Sequence, residues 1–182
     1  MKRINLKSVL LGVIAMSLSV LTYGQHDHNM MNMNHKKGGM MKNHQSMMVM
    51  LKDQNLNKAY MHYTMIRKAL FNANTQKVQM MSSMLVTILK SYGKANDALE
   101  VTVKLAANKE IEAQRKLFAE LTIAFEPLLK DQVAKGTVYK NFCPMANGSG
   151  AYWFSNSENI VNPYMGSAMP SCGEVKETFK VN

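Results

Sequence analysis

From Met47 onward the apolar residues recur at helical spacing. Leu56, Ala59 with Tyr60, Tyr63, Ile66 and Leu70 fall at i, i+3/i+4, which predicts a helix with one buried stripe. The pattern breaks over residues 72–75. Val78, Met81, Leu85, Ile88 and Leu89 then form a second stripe, ended by Ser91-Tyr92-Gly93, with Gly93 as a natural residue just past a helix end. Asn96 or Asp97 is placed to cap a third helix carrying Leu99, Val103 and Ala106 with Ala107. A fourth follows from about Lys109, with Ile111, Gln114, Leu117 with Phe118, Leu121, Phe125 and Leu128 on one face. Pro127 should disturb its last turns, because proline lacks an N–H and crowds the carbonyl four residues back. Four amphipathic helices with short connections predict a mainly α fold, an antiparallel up-and-down bundle.

After Gly136 the periodicity stops. Residues 137–175 hold three of the four Pro, both Cys and the single Trp. Thr137-Val138-Tyr139-Lys140-Asn141-Phe142 alternates like a short strand. The remainder, with its Gly, Pro and Asn, reads as loop. A stretch this long and irregular in a small domain is usually functional or cross-linked. The expected folded unit is thus a single helical domain over residues 47–182, ending in a loop-rich two-cysteine motif at 136–177.

Upstream the character is different again. Lys2, Arg3 and Lys7 precede an uncharged apolar run over residues 8–22, and Thr22-Tyr23-Gly24 offers a cleavage site before Gln25. This predicts a signal peptide at residues 1–24, hence an exported, periplasmic chain. The run is short of the roughly 20 residues a membrane span needs, and no Cys follows it to carry a lipid, so no stable membrane anchor is expected. Residues 25–46 are low in complexity, with no aromatic or β-branched residue, and are expected to be disordered.

Composition is ordinary except in sulfur. There are 18 Met and 2 Cys, and 13 of the Met lie between Met30 and Met84. Methionine is normally a sparse gap-filler of cores. In the tail, His26 and His28 stand at a two-ligand spacing beside the mature N-terminus, and Met30, Met31, Met33, His35, Met40, Met41, His44, Met47 and Met48 continue the donor series. Thioethers bind Cu(I), and imidazoles bind both copper states. The plain alternative is a solubilising linker whose methionines consume oxidant. Met80, Met81 and Met84 sit at helical spacing and read as core or groove residues. The net charge of +10 falls by three with the leader, and the excess is spread along the chain without an arginine cluster, so no nucleic-acid partner is expected.

The two-cysteine segment carries the sharper chemistry. Cys143 and Met145 flank Pro144, whose fixed φ narrows the loop, and Met169 and Cys172 form a second sulfur pair. Thiolate and thioether are soft donors that select Cu(I) over harder ions. Met165 adds another sulfur, and His62, with Met61 and Met65 beside it, is placed to reach the same centre. Zinc or another soft metal is the alternative ion. Two Cys in an exported chain also admit a simple disulfide. Trp153 and Tyr152 read as core aromatics over the loop, and Asn162-Pro163-Tyr164 with Gly166 reads as a turn.

The strings Tyr139-Lys-Asn-Phe-Cys-Pro-Met-Ala, Gly150-Ala-Tyr-Trp-Phe-Ser, Ile160-Val-Asn-Pro-Tyr-Met-Gly and Met169-Pro-Ser-Cys-Gly-Glu-Val together resemble the domain of unknown function 3347. The resemblance covers roughly residues 47–177 and rests on Cys143, Met145, Trp153, Asn162, Pro163, Tyr164, Gly166, Met169, Cys172 and Gly173. Phe154, Met165 and Pro170 depart from the family's usual residues, and no departure removes a sulfur. The resemblance implies a link to copper or heavy-metal handling, since the family occurs alone behind signal peptides or appended to periplasmic adaptors of heavy-metal efflux pumps. The Cys-Pro-Met element is also similar to short metal modules of copper pumps, but those continue His-Pro where Ala146-Asn147 stands here.

No Ser/His/Asp arrangement, Cys-x-x-Cys or phosphate loop is visible, and no His lies in the two-cysteine segment to act as a base. The expectation is a non-enzymatic Cu(I)-binding protein for sequestration, delivery or resistance, with metal ions and an efflux pump or its adaptor as partners. The rivals are a thiol/disulfide redox protein and a disulfide-stapled interaction module.

Overall fold

The computed structural model describes residues 48–181; the expected signal peptide and all of the Met/His tail but Met48 lie outside them. Four helices run in sequence: α1 (Gln54–Phe71), α2 (Thr75–Tyr92), α3 (Asn96–Ala107) and α4 (Ile111–Leu129). Each packs on the next, and α4 also packs on α1. Short strands frame them: β1 (Met50–Leu51) pairs antiparallel with β2 (Val133–Lys135), and β3 (Thr137–Cys143), β4 (Ala151–Ser155) and β5 (Glu174–Lys180) form a second antiparallel sheet in the order β4-β3-β5.

The first two stripes are buried as the periodicity predicts. Leu56, Ala59, Tyr60, Tyr63, Ile66 and Leu70 face the core from α1, and Val78, Met81, Leu85 and Leu89 from α2. The caps explain where these helices start. Asp53 accepts from the backbone N–H of Asn55 at 2.8 Å and Leu56 at 2.9 Å, and Asn74 accepts from that of Lys77 at 2.9 Å. Gly93 ends α2 at φ +71°, a left-handed turn that glycine takes without penalty.

The third helix departs from expectation in both cap and face. Ala95 holds the cap position with no side-chain bond, and Asn96 and Asp97 lie within the first turn. The buried residues are Ala98, Thr102 and Leu105 rather than Leu99, Val103 and Ala106 with Ala107. Thr102 is polar, but its hydroxyl donates to the Ala98 carbonyl and is satisfied inside the helix. α4 runs two residues past Pro127, so the proline modulates its last turn without ending it.

The largest correction concerns residues 136–177. They carry more strand than expected. Only β3 is expected as a strand, yet β4 is Ala-Tyr-Trp-Phe-Ser and β5 spans Glu174–Lys180, past the motif's expected end. β5 is an edge strand whose Glu and Lys face solvent and whose Val175 and Phe179 are half-buried. Charges on a sheet edge blunt further pairing and weaken the apolar alternation that marks a strand. The sheet joins the helices through aromatics: the Tyr63 ring lies 4.8 Å from Phe118, 5.2 Å from Phe125 and 5.9 Å from Phe154.

The methionines correct another expectation. Met81 is buried, but Met80 and Met84 are about half exposed. Among the described residues no helix is long and apolar enough to cross a membrane.

Candidate metal centre

Cys143 is the last residue of β3. Pleating puts Asn141 and Cys143 on one face with their cross-strand partners Trp153 and Ala151, and all four are buried. Cys172 arrives from the other direction, in the turn that enters β5. Its sulfur stands 2.7 Å from that of Cys143, and both are free thiols. Cys143 is fully buried, whereas Cys172 is part-exposed.

Three features hold the Cys172 turn against β3. Asn162, fully buried, donates from its amide to the Cys172 carbonyl at 2.7 Å, while its side-chain oxygen accepts from the N–H of Tyr164 at 2.8 Å and of Met165 at 3.2 Å. The Cys172 N–H donates to the Met169 carbonyl at 3.3 Å. Gly173 sits at φ +131°, where a Cβ would stand 2.8 Å from both the Phe142 carbonyl oxygen and the Trp153 ring. Only glycine lets the chain pass that close in that conformation. Trp153 is completely buried beside this turn, edge-on to Tyr164 at 6.0 Å, and its indole N–H has no hydrogen-bond partner.

The electrostatics follow from the contact. The hydrogen bond shared with Cys143 is the main cause that raises the Cys172 pKa above the ordinary thiol value, with desolvation and charge repulsion from Cys143 adding to it. Cys172 therefore resists ionisation until a metal or a second sulfur replaces its proton.

The other sequence candidates divide. Met145 follows Cys143 by two residues and is half-exposed, and Met169 is part-buried in the Cys172 turn. Met165 packs against the core and lines a separate cleft with Phe71, Asn72 and Arg115. His62 lies on α1 with its Nδ1 3.0 Å from the Lys58 carbonyl, so that nitrogen carries the proton and donates. Among the described residues no three His, Cys, Asp or Glu side chains gather as a metal site. His26, His28, Met30, Met31, Met33, His35, Met40, Met41, His44 and Met47 lie outside the described residues, and Met48 is the first residue within them, its side chain exposed.

No family model, curated protein or solved structure matches this chain.

Two positioning residues escaped the sequence reading. Asn162 read as a turn former, and its bond to Cys172 is the longer-range role. Tyr63 read as one core aromatic among several. Its hydroxyl accepts from the Phe154 N–H at 3.1 Å and donates to the Thr122 hydroxyl at 2.7 Å, which itself donates to the Phe118 carbonyl. That chain ties β4, and with it Trp153, to α1 and α4. A Tyr within an apolar stripe gives no signal of such a role.

Proposed function

We propose that this protein binds a soft metal ion, Cu(I) above all, on Cys143 and Cys172, and works in the periplasm in copper or heavy-metal sequestration, delivery or resistance. The observation that carries the reading is the meeting of two thiols, 29 residues apart in the chain, on a buried strand end and a part-exposed turn. Met145 and Met169 lie in the same two segments and supply thioethers. Two sulfurs bound to one metal stand farther apart than this contact, so loading opens the pair. Cys172 is the partner to move, because it lies in a surface turn while Cys143 is fixed within a sheet. No His, Asp or Glu completes a zinc tetrahedron with the two thiols among the described residues. Cu(I) accepts fewer and softer donors.

The resemblance to the domain of unknown function 3347 supports the same reading and suggests a heavy-metal efflux pump or its adaptor as partner. The Met/His tail supplies weaker, additional sites, and the leader supplies export.

A second reading has one specific observation behind it. Sulfurs 2.7 Å apart are close to the roughly 2.05 Å of a disulfide, which favours a dithiol/disulfide pair. Against a redox catalyst stands the raised Cys172 pKa, since attacking thiols in such proteins are usually depressed. The deciding experiment is a Cu(I) titration of the reduced protein against a chelator, beside a Cys143→Ala, Cys172→Ala variant. Loss of the tightest site in the variant supports the proposal. An unchanged tight site overturns it.

A further inference from the structure

Of the ten methionines among the described residues only Met81 is buried. Met48, Met50, Met61, Met65, Met80, Met84 and Met145 are all more than a third exposed, and they make up most of the large exposed apolar side chains. This inverts methionine's usual use as filler within cores. Two of them, far apart in sequence, line one cleft. Met48 enters from the chain leading into β1, Met61 from α1, and together with Val49, Asn57, Tyr60, Thr64 and Asn156 they enclose about 350 Å³.

The chemistry of this cleft is selective. The residues lining it include no carboxylate, imidazole or thiol. Its side-chain oxygens are held in hydrogen bonds: the Tyr60 hydroxyl donates to the Asn156 side-chain oxygen at 2.7 Å, the Asn57 side-chain oxygen accepts from the Leu51 N–H at 3.0 Å, and the Thr64 hydroxyl donates to the Met61 carbonyl at 2.7 Å. Those oxygens are hard donors, and the two thioethers are the soft donors among the residues lining the cleft. Thioethers carry no charge and no proton, so they offer little to hard divalent ions and suit a soft monovalent one.

We propose that this cleft is a separate soft-metal site, holding one Cu(I) on the sulfurs of Met48 and Met61 independently of the cysteine pair. The inference rests on the reading of the chain as a soft-metal binder but uses neither cysteine. Two thioethers leave coordination positions open. Met50, two residues downstream of Met48, is the nearest further sulfur along the chain among the described residues.

The test uses the full chain labelled with ¹³C at its methionine methyls and titrated with Ag(I), a redox-inert ion with the charge and donor preference of Cu(I). The thiols are kept out in two ways, by the Cys143→Ala, Cys172→Ala variant and by the oxidised native chain. The Met48 and Met61 methyls should shift together. Met61→Leu, which keeps the apolar volume and removes the sulfur, should weaken Ag(I) binding read at Met48 by at least about tenfold. Met84→Leu should leave both responses unchanged, and Zn(II) at equal free concentration should shift neither methyl. Unmoved Met48 and Met61 signals at saturating Ag(I), or a Met48 response indifferent to Met61→Leu, would overturn the proposal. Failure of the cysteine site appears instead as an unaltered Cu(I) titration in the double Ala variant, and leaves this result standing.

Discussion

Oxidation of Cys143 and Cys172 is the perturbation whose size is best set by the geometry. The pair is 29 residues apart in sequence. In the chain-entropy treatment a cross-link of that span removes about 12 cal/mol/K from the unfolded ensemble, or about 3.6 kcal/mol at 25 °C. For a domain the size of the described one, each kcal/mol moves the melting temperature by about 3–4 °C. The oxidised chain should therefore melt about 10–15 °C above the reduced chain. Oxidised glutathione supplies the oxidant: two thiols become one disulfide, and two glutathione thiols are released. Intact mass reports the loss of two hydrogens, circular dichroism gives the melt, and the single Trp153, buried beside the Cys172 turn, follows the same event by fluorescence. Melting temperatures within about 3 °C of each other, or thiols that stay reduced under excess oxidant, would refute the placement of Cys172 against β3.

The same experiment bears on function, because a disulfide and a metal compete for the same sulfurs. Cu(I) at a hundredfold excess over its dissociation constant stabilises the folded chain by about 2.7 kcal/mol, or about 9 °C by the same conversion. In the Met61→Leu background, which removes the methionine cleft's second sulfur, that shift should appear in the reduced protein and vanish in the oxidised one. A copper shift that persists there after oxidation would remove the cysteines from the folded-state site.

Tyr63→Phe should leave the Phe154 N–H buried without a partner and lower stability by about 1–3 kcal/mol in urea unfolding; a loss under about 0.3 kcal/mol would show that β4 is held by packing alone. Gly173→Ala, forcing a Cβ against Phe142 and Trp153 at φ +131°, should cost about 2 kcal/mol or more and slow closure of the disulfide, as mass and melting report. The pH dependence has a definite sign. The Cys172 pKa is raised in the folded state, so its contribution is complete below the unfolded thiol range and is lost as pH rises through the folded value. Between about pH 8 and 10 the reduced chain should therefore lose melting temperature faster than the oxidised one, and parallel curves would contradict the shared hydrogen bond.

The helices were legible because their signal is local. A stripe such as Leu56 to Leu70 states its own periodicity, and Gly93 acts within one turn of where it stands. α3 was misread by one position because Thr102 is satisfied by its own helix, a bond that residue type does not announce. The second sheet was half-visible for a different reason. β3 must pair on both edges, and its alternation is plain, whereas β5 lies at an edge where charge replaces apolar alternation. Strand pairing is a relation between distant segments, and only Thr137 to Phe142 carried enough of it in one place.

The candidate site shows the same limit from the side of chemistry. Residue type alone singled out Cys143, Cys172 and the flanking methionines, because thiols and thioethers are few and specific. It could not say that Asn162 holds the Cys172 carbonyl, since turn formation already explains an Asn before Pro. Nor could it sort the methionines. A helix-spaced Met scores as apolar, so Met80, Met81 and Met84 read alike as core or groove residues, yet only Met81 is buried. On the proposed function, Leu at core positions and Met at the surface puts sulfur where water can deliver an ion. That division of labour between two residues of nearly equal size, more than any single ligand, is what the proposal asks of the chain and a purely structural bundle does not.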